Sequence, residues 1–417
     1  MAVTTDPAVA VRSRLPNVLS PLRNRNFSLL LLGRTTSEMG RIMRVFARGW
    51  LVLELTSSPF LLAVVTSAIS WANLFIPAFA GILADRMDRR KLVLYTEFSL
   101  VVLWTAVSLD ITFGWIRWWH LLISSIISGT VQGFGRTGHQ ALLGSLVKKR
   151  EIPSAVALND VANYWPQAVG LAIASALVAT IGVRGLFWIT TGGQLFTGIT
   201  LLLIRWKDTK TQEAKQSVRD NFKEGLRHFK GQPVLIGLVL LGLSGSLIGG
   251  FSSVLLPFFA RDVLGVGASG LGVMMTFNAI GTSFGAAAMM LMSNMRRRGL
   301  LLMVAVFCYT ALLLTFSRSQ IFALSVGLVF GIGLSSIIMH TTNTIMMQIL
   351  APDHLRGRVM GMRATTQGVS FIGVIGMGAL AQFVGPATAV LIGASAYGLV
   401  AFTIFASMPY LRNMKTQ

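Results

Sequence analysis

Gly81-Ile82-Leu83-Ala84-Asp85-Arg86-Met87-Asp88-Arg89-Arg90-Lys91 is the stretch whose reading decides how this chain is built. It joins two apolar runs, one from Phe60 to Ala80 and one from Leu92 to Leu109. Each run is long enough to cross the roughly 30 Å hydrocarbon core of a bilayer as a helix. A short, densely basic turn between two such helices reads as a hairpin on the cytoplasmic side.

Working outward, composition agrees. Of 417 residues 53% are hydrophobic and only 12% charged, more apolar sequence than a soluble domain needs. Apolar runs of spanning length recur at 27–55, 58–84, 91–110, 117–143, 154–181, 185–205, 233–260, 267–292, 299–317, 319–348, 358–383 and 386–409. An even number of spans puts both termini on one side. The formal net charge of +21 could suggest a nucleic-acid partner, but its distribution says otherwise. Of the 36 Lys and Arg residues, 27 fall in the tails and loops on the side of the opening hairpin. The opposite loops hold only Arg117, Arg184, Arg261 and Arg318. The excess is topological, so both termini are expected in the cytoplasm, with the chain in the inner (plasma) membrane and no nucleic acid bound. A lone cysteine, Cys308, excludes an intramolecular disulfide. The N-terminal tail lacks the apolar core and cleavage site of a signal peptide.

The opening stretch, G-x-L-A-D-R-x-x-R-R-K, resembles the loop 2–3 signature of the major facilitator superfamily, with Asp88 where a second glycine is usual. Pro352-Asp353-His354-Leu355-Arg356-Gly357-Arg358 is similar to the loop 10–11 motif of the subgroup that includes enterobactin, macrolide and multidrug exporters. The resemblance runs from Asn24 to about Pro409. It implies an all-α membrane protein of twelve transmembrane helices in two pseudo-symmetric six-helix bundles. The expected division is a tail at 1–26, a first bundle at 27–205, a linker at 206–232, a second bundle at 233–410 and a tail at 411–417. Within the linker, Val218, Phe222, Leu226 and Phe229 recur at helical spacing among basic residues, the pattern of an amphipathic helix on the membrane surface. In the family the hairpin acts as a conformational motif, which assigns that role to Gly81, Asp85, Arg86, Arg89 and Arg90.

Charge inside the spans marks where chemistry could sit. The first span carries Arg34, Glu38, Arg41, Arg44 and Arg48, which at 100° per residue fall within an arc of about 120°. Each charge at mid-bilayer costs roughly 2.5–3.5 kcal/mol, so the stripe must face protein or water rather than lipid. Glu38 can pair with Arg34 or Arg41 on its own helix; Arg44 and Arg48 have no acid there. Further polar candidates are Arg136 and His139 in the fourth span, Asp160 and Asn163 in the fifth, and His340 and Asn343 one turn apart in the tenth. Glu38 or Asp160 could carry a coupling proton, or each could be a permanent partner of Arg41 or Arg136. An inward-facing arginine stripe would make a net positive cavity suited to an anionic or metal-chelating substrate.

The reading is therefore a secondary active transporter, exporting a small organic compound by alternating access with a coupling proton. Proton-driven efflux of lipophilic compounds and uptake or facilitated diffusion of an organic anion are the alternatives. Its expected partners are the lipid bilayer, the small-molecule substrate and the proton, and its expected state is a monomer. No nucleotide loop, Ser-His-Asp arrangement or metal-ligand cluster is present in the sequence, so neither catalysis nor a cofactor or metal is expected.

Overall fold

The computed structural model describes residues 20–71, 89–147, 151–204, 233–248, 250–292, 295, 297–350 and 368–408. The secondary structure of these residues is helical. A short 3-10 turn, Ser20–Arg23, leads into α1, Arg25–Thr56. Asn24 caps α1 by accepting the Asn26 N–H at 3.0 Å, satisfying a backbone donor that the first turn leaves free. The helix stops at Ser57, whose φ of 49° is left-handed. There follow α2 (Pro59–Trp71), α3 (Arg89–Phe113), α4 (Trp118–Leu146) and α5 (Ile152–Leu202). The continuous α5 is broken at Gly182 (φ 64°, ψ −175°) into two arms. The apolar runs at 154–181 and 185–205 meet at this break. Only glycine takes such a conformation without strain.

The second half comprises α6 (Pro233–Leu247), α7 (Gly267–Leu291), α8 (Arg298–Ser317), α9 (Phe322–Leu350), α10 (Ser370–Val384) and α11 (Pro386–Ser407). Beyond α6 the chain continues through two π-helical turns, Phe251–Leu255 and Phe259–Val263, on either side of Pro257. Proline removes a donor and crowds the preceding turn, which accounts for an irregular ladder here. Each apolar run read from the sequence coincides with one of these helices or arms. For α2 and α10 the loop-side portions, 72–88 and 351–367, lie outside the described residues.

Among the described residues six helices are long and apolar enough to cross a membrane. Three shorter apolar helices accompany them, Pro59–Trp71, Val234–Ser246 and Ser370–Val384. At 32 residues α1 is long enough, but its charged groups set it apart. It packs chiefly on α5, and α3 packs on α4 and α5. In the second half α7 and α8 pack on α9, and α11 packs on α8 and α10. The tightest approach is α7 against α9. A Cβ on Gly281 would strike the Phe330 carbonyl oxygen, and one on Gly333 would strike the Asn278 backbone. Small residues let two helices meet this closely.

The halves join at one end of the molecule. Ser175 Oγ on α5 donates to Ser269 O on α7 at 2.8 Å. Arg261 Nη1 donates to Leu53 O and Ser57 Oγ, each at 3.1 Å. Ser58 Oγ donates to Gln382 Oε1 at 2.8 Å. These groups lie at the α1–α2 turn, toward the Gly182 end of the first arm of α5, in the second π-helical turn, at the start of α7 and at the end of α10.

Candidate functional site: a central cavity beside a buried polar network

Between the halves lies a cavity of about 570 Å³, within the usual range for a small-molecule site. From the first half α1 contributes Ile42 and Val45, and α5 contributes Gln167 and Leu171. The irregular end of α6 adds Ser253 and Leu256. The wall of α7 runs from Met275 through Ala279, Thr282 and Ala286 to Met289 and Met290, and α9 closes the site with Ile337, Thr341 and Ile345. Its polar edge is uncharged: Gln167, Asn278, Thr282, Ser283 and Thr341. Among the described residues no Arg, Lys, Asp or Glu lines it. Methionine side chains are flexible and polarisable, so such a wall adapts to ligands of varied shape.

The charged residues of α1 are placed elsewhere. Glu38, 8% exposed, accepts from Arg34 Nη2 at 3.0 Å and from Arg41 Nε at 2.6 Å. Arg34 Nε also donates to Asn163 Oδ1 on α5 at 2.7 Å. The sequence offered Glu38 either partner; the fold gives it both.

Arg44 and Arg48 turn into the first half, away from the cavity. Arg44 Nη1 donates to Thr190 O at 3.0 Å and Nη2 to Gln194 Oε1 at 2.9 Å, both on the second arm of α5. Its guanidinium also lies over the Trp104 ring of α3, 4.9 Å from the centroid, a cation–π distance. Gln194 Nε2 in turn donates to Glu97 Oε2 on α3, and the other carboxylate oxygen, Oε1, lies 3.4 Å from His139 Nε2 on α4. Arg48 Nη1 donates to Ser125 Oγ on α4 at 3.0 Å, while its buried Nε has no hydrogen-bond partner. No arginine of α1 is among the residues that line this cavity. Val45 and Arg44 are neighbours in sequence, so they point about 100° apart, and only Val45 reaches the cavity.

Neither His340 nor Asn343 of α9 lines this cavity. The cavity takes Ile337, Thr341 and Ile345, the i, i+4, i+8 row of α9. His340 is exposed, and Asn343 is buried against α6, where its Nδ2 donates to Leu238 O at 3.3 Å. The backbones of Arg136 and Asp160 lie in α4 and α5, but their side chains fall outside the described residues, as do those of Arg89 and Arg90. Gly81, Asp85 and Arg86 fall outside them entirely, as does the amphipathic pattern of the linker.

The sequence reading passed over Glu97. The acid in the middle of the otherwise apolar run from Leu92 to Leu109 was the signal, because such a residue is expensive in a bilayer without partners. Gln194 and the methionine wall gave weaker signals, since polar amides and methionines occur in many packed helices.

Across residues 17–417 the sequence matches the family model described as transmembrane secretion effector, a family of major facilitator transporters. The chain belongs to the major facilitator superfamily. Within this superfamily it is similar to the multidrug efflux pump Tap of Mycolicibacterium fortuitum, 25% identical over 92% of each chain. It is also similar to the enterobactin exporter EntS of Shigella boydii serotype 18, 23% identical over 77% of this chain and 76% of that one. The crystal structure of the nucleoside transporter NupG superposes with a TM-score of 0.75 at 14% identity, covering 93% of this chain and all of that one. At that identity the likeness concerns the fold. The protein is thus a multi-pass membrane transporter of this superfamily, and its members are generally not enzymes.

Proposed function

We propose that this transporter exports small lipophilic compounds by alternating access, driven by the proton gradient. The observation that carries the substrate class is the cavity wall: apolar side chains and methionines with a few amide and hydroxyl groups. Burying apolar surface is worth roughly 25 cal/mol per Å², so such a wall binds by area rather than by charge. An anion would leave its charge unpaired there, which is unfavourable in a low-dielectric site. Arg34, Arg41, Arg44 and Arg48 each have a partner inside the first half and none of them lines the cavity, which disfavours the organic-anion readings. Outward direction is inferred from the exporters among the relatives, Tap and EntS.

In this reading twelve helices form two six-helix bundles, 27–205 and 233–410, joined by the linker 206–232. Both termini are cytoplasmic, the protein sits in the inner membrane, and it works as a monomer. The end where Arg261, Ser58 and Ser175 tie the halves together faces outward. Asp85 in the basic hairpin biases the conformational equilibrium through the roughly 0.3–1 kcal/mol that an acid gains near a helix N-terminus.

A thermal-shift panel on the purified protein tests the substrate class. Chloramphenicol, an uncharged aromatic amide, is expected to stabilise it, and 2,3-dihydroxybenzoate, a catecholate anion, is not. Ala279→Asp, which places a carboxylate in the cavity wall, is expected to weaken chloramphenicol binding about tenfold, or 1.4 kcal/mol. Stabilisation by the anion, insensitive to Ala279→Asp, would refute the lipophilic reading.

A further inference from the structure

Four helices of the first half converge on a chain of polar groups that the cavity does not use: Arg44 on α1, Gln194 on α5, Glu97 on α3 and His139 on α4. We infer that the Glu97–His139 pair is where this transporter loads its coupling proton, and that Gln194 and Arg44 report the loaded state to α1. The assignment rests on the proton-coupled reading above and names the site that such coupling requires.

The geometry separates the members of the chain by their task. Glu97 is 6% exposed; its Oε2 accepts from Gln194 Nε2 and its Oε1 faces His139 Nε2. Arg44 reaches Gln194 directly, and its electrostatic surroundings include Glu97, Glu38, Arg41 and Arg48. The partner assigned to gain and lose the proton is His139, whose ring nitrogen can hold it facing the carboxylate. The His139 side chain keeps 12% of its surface exposed and is the less buried member of the pair. Loaded, the proton rides on Nε2 and the imidazolium faces Glu97 Oε1. Released, the imidazole is neutral, and the carboxylate keeps only Gln194 and the field of Arg44.

Among the described residues, the other charged groups of the first-half interior are held by partners of their own. Around the pair, the described part of α5 presents the uncharged Thr190, Thr191 and Gln194. On α1, Glu38 is held by Arg34 and Arg41, and Arg48 lies one turn past Arg44. On α4, Arg136 lies three residues before His139, with its side chain outside the described residues. The link to transport runs through α1. Ile42 and Val45 line the cavity on either side of Arg44 in sequence, so a ligand that shifts this helix also strains the Arg44–Gln194–Glu97 hydrogen bonds. Two sites are coupled when both bias the same two-state element.

Reconstitution in proteoliposomes with radiolabelled chloramphenicol tests the assignment, because the distribution of this uncharged probe does not itself follow pH. The parent protein is expected to accumulate it against its gradient when a pH difference is imposed. Glu97→Gln and His139→Gln should each lose that drive by about tenfold or more, within the span of typical coupling energies. Both should still exchange the probe down its own gradient, and their downhill flux should no longer vary between about pH 6 and 8, where an imidazole titrates. If Glu97→Gln fails to fold, His139→Gln at the more exposed end of the pair carries the test. A coupled parent whose variants remain coupled overturns the site while leaving the exporter intact. Equal loss of driven and downhill flux in properly folded variants also overturns it, because that pattern means a structural role. A parent that ignores the pH difference, or moves no probe, overturns the coupled reading and this assignment with it.

Discussion

The two halves of this transporter solve burial in opposite ways. Among the described residues the interior of the first half holds four buried charged groups, Glu38, Arg44, Arg48 and Glu97. The interior of the second half buries none; its buried polar groups are hydroxyls and the amide of Asn343. There α7 and α9 meet through glycines, and Tyr397 Oη donates to Met339 Sδ at 2.8 Å. A charged interior holds together only if every ion is answered, and it can therefore respond to a proton. A glycine-packed interior has little to titrate and makes a stiff wall. The cavity lies where the two kinds of interior meet, with α7 and α9 supplying most of its surface.

The largest expected effect comes from making the first half resemble the second at one point. Glu97→Leu leaves Gln194 Nε2 without its acceptor and Arg44 buried without the acid that Gln194 links to it, a loss of about 3 kcal/mol or more where a buried charged group is left uncompensated. Little folded protein should survive extraction, as read by size-exclusion chromatography. The double substitution Arg44→Leu with Glu97→Leu removes both charges and should recover much of the folded fraction. Failure of the double variant to recover would mean that Arg44 and Glu97 do not stabilise each other, and the contrast between the halves would weaken.

A smaller effect tests the second half on its own terms. Gly281→Ala sets a methyl group against the Phe330 carbonyl, backbone that cannot turn aside. Overpacking of this kind costs about 1–3 kcal/mol. Gly327→Ala, where nothing lies within 4 Å of the added atom, is the matched control. The melting temperature in detergent should fall for the first and hold for the second.

The smallest effect concerns the seam between the halves. Arg261 ties Leu53 O and Ser57 Oγ to its own half while pairing with Asp262 at 2.6 Å. Arg261→Gln removes a partly exposed link worth about 1 kcal/mol or less. Spin labels at Leu55 and Phe383, both exposed, should show a broader distance distribution in the variant. An unchanged distribution would assign the closure to the close packing of Gly272 on Ser175 and of Gly378 on Ala63 and Pro59 instead.

Much of the fold was legible in the chain because a bilayer imposes a simple rule. A backbone in hydrocarbon must bond to itself, so runs of about twenty apolar residues announce helices, and basic loops announce their side. The break at Gly182 and the pause at Gly385 coincide with the gaps between apolar runs. The site was less legible. Helical periodicity grouped Arg34, Glu38, Arg41, Arg44 and Arg48 on one arc, and energetics alone said that this arc avoids lipid. Neither could say whether it met water, substrate or protein, because a membrane interior and a cavity exclude lipid equally well.

Sequence by itself determined that the protein spans a membrane, that its first helix carries ions, and that those ions need partners. Tertiary structure decided which partners: Thr190, Gln194, Trp104 and Ser125 for the arginines, contributed by helices far away in the chain. It also decided that methionines and small residues of α7, unremarkable as a string, form the wall of a cavity. The physical reason is that a residue type fixes what it costs to bury a group, whereas only the packing of helices distant in sequence fixes what that group is buried against.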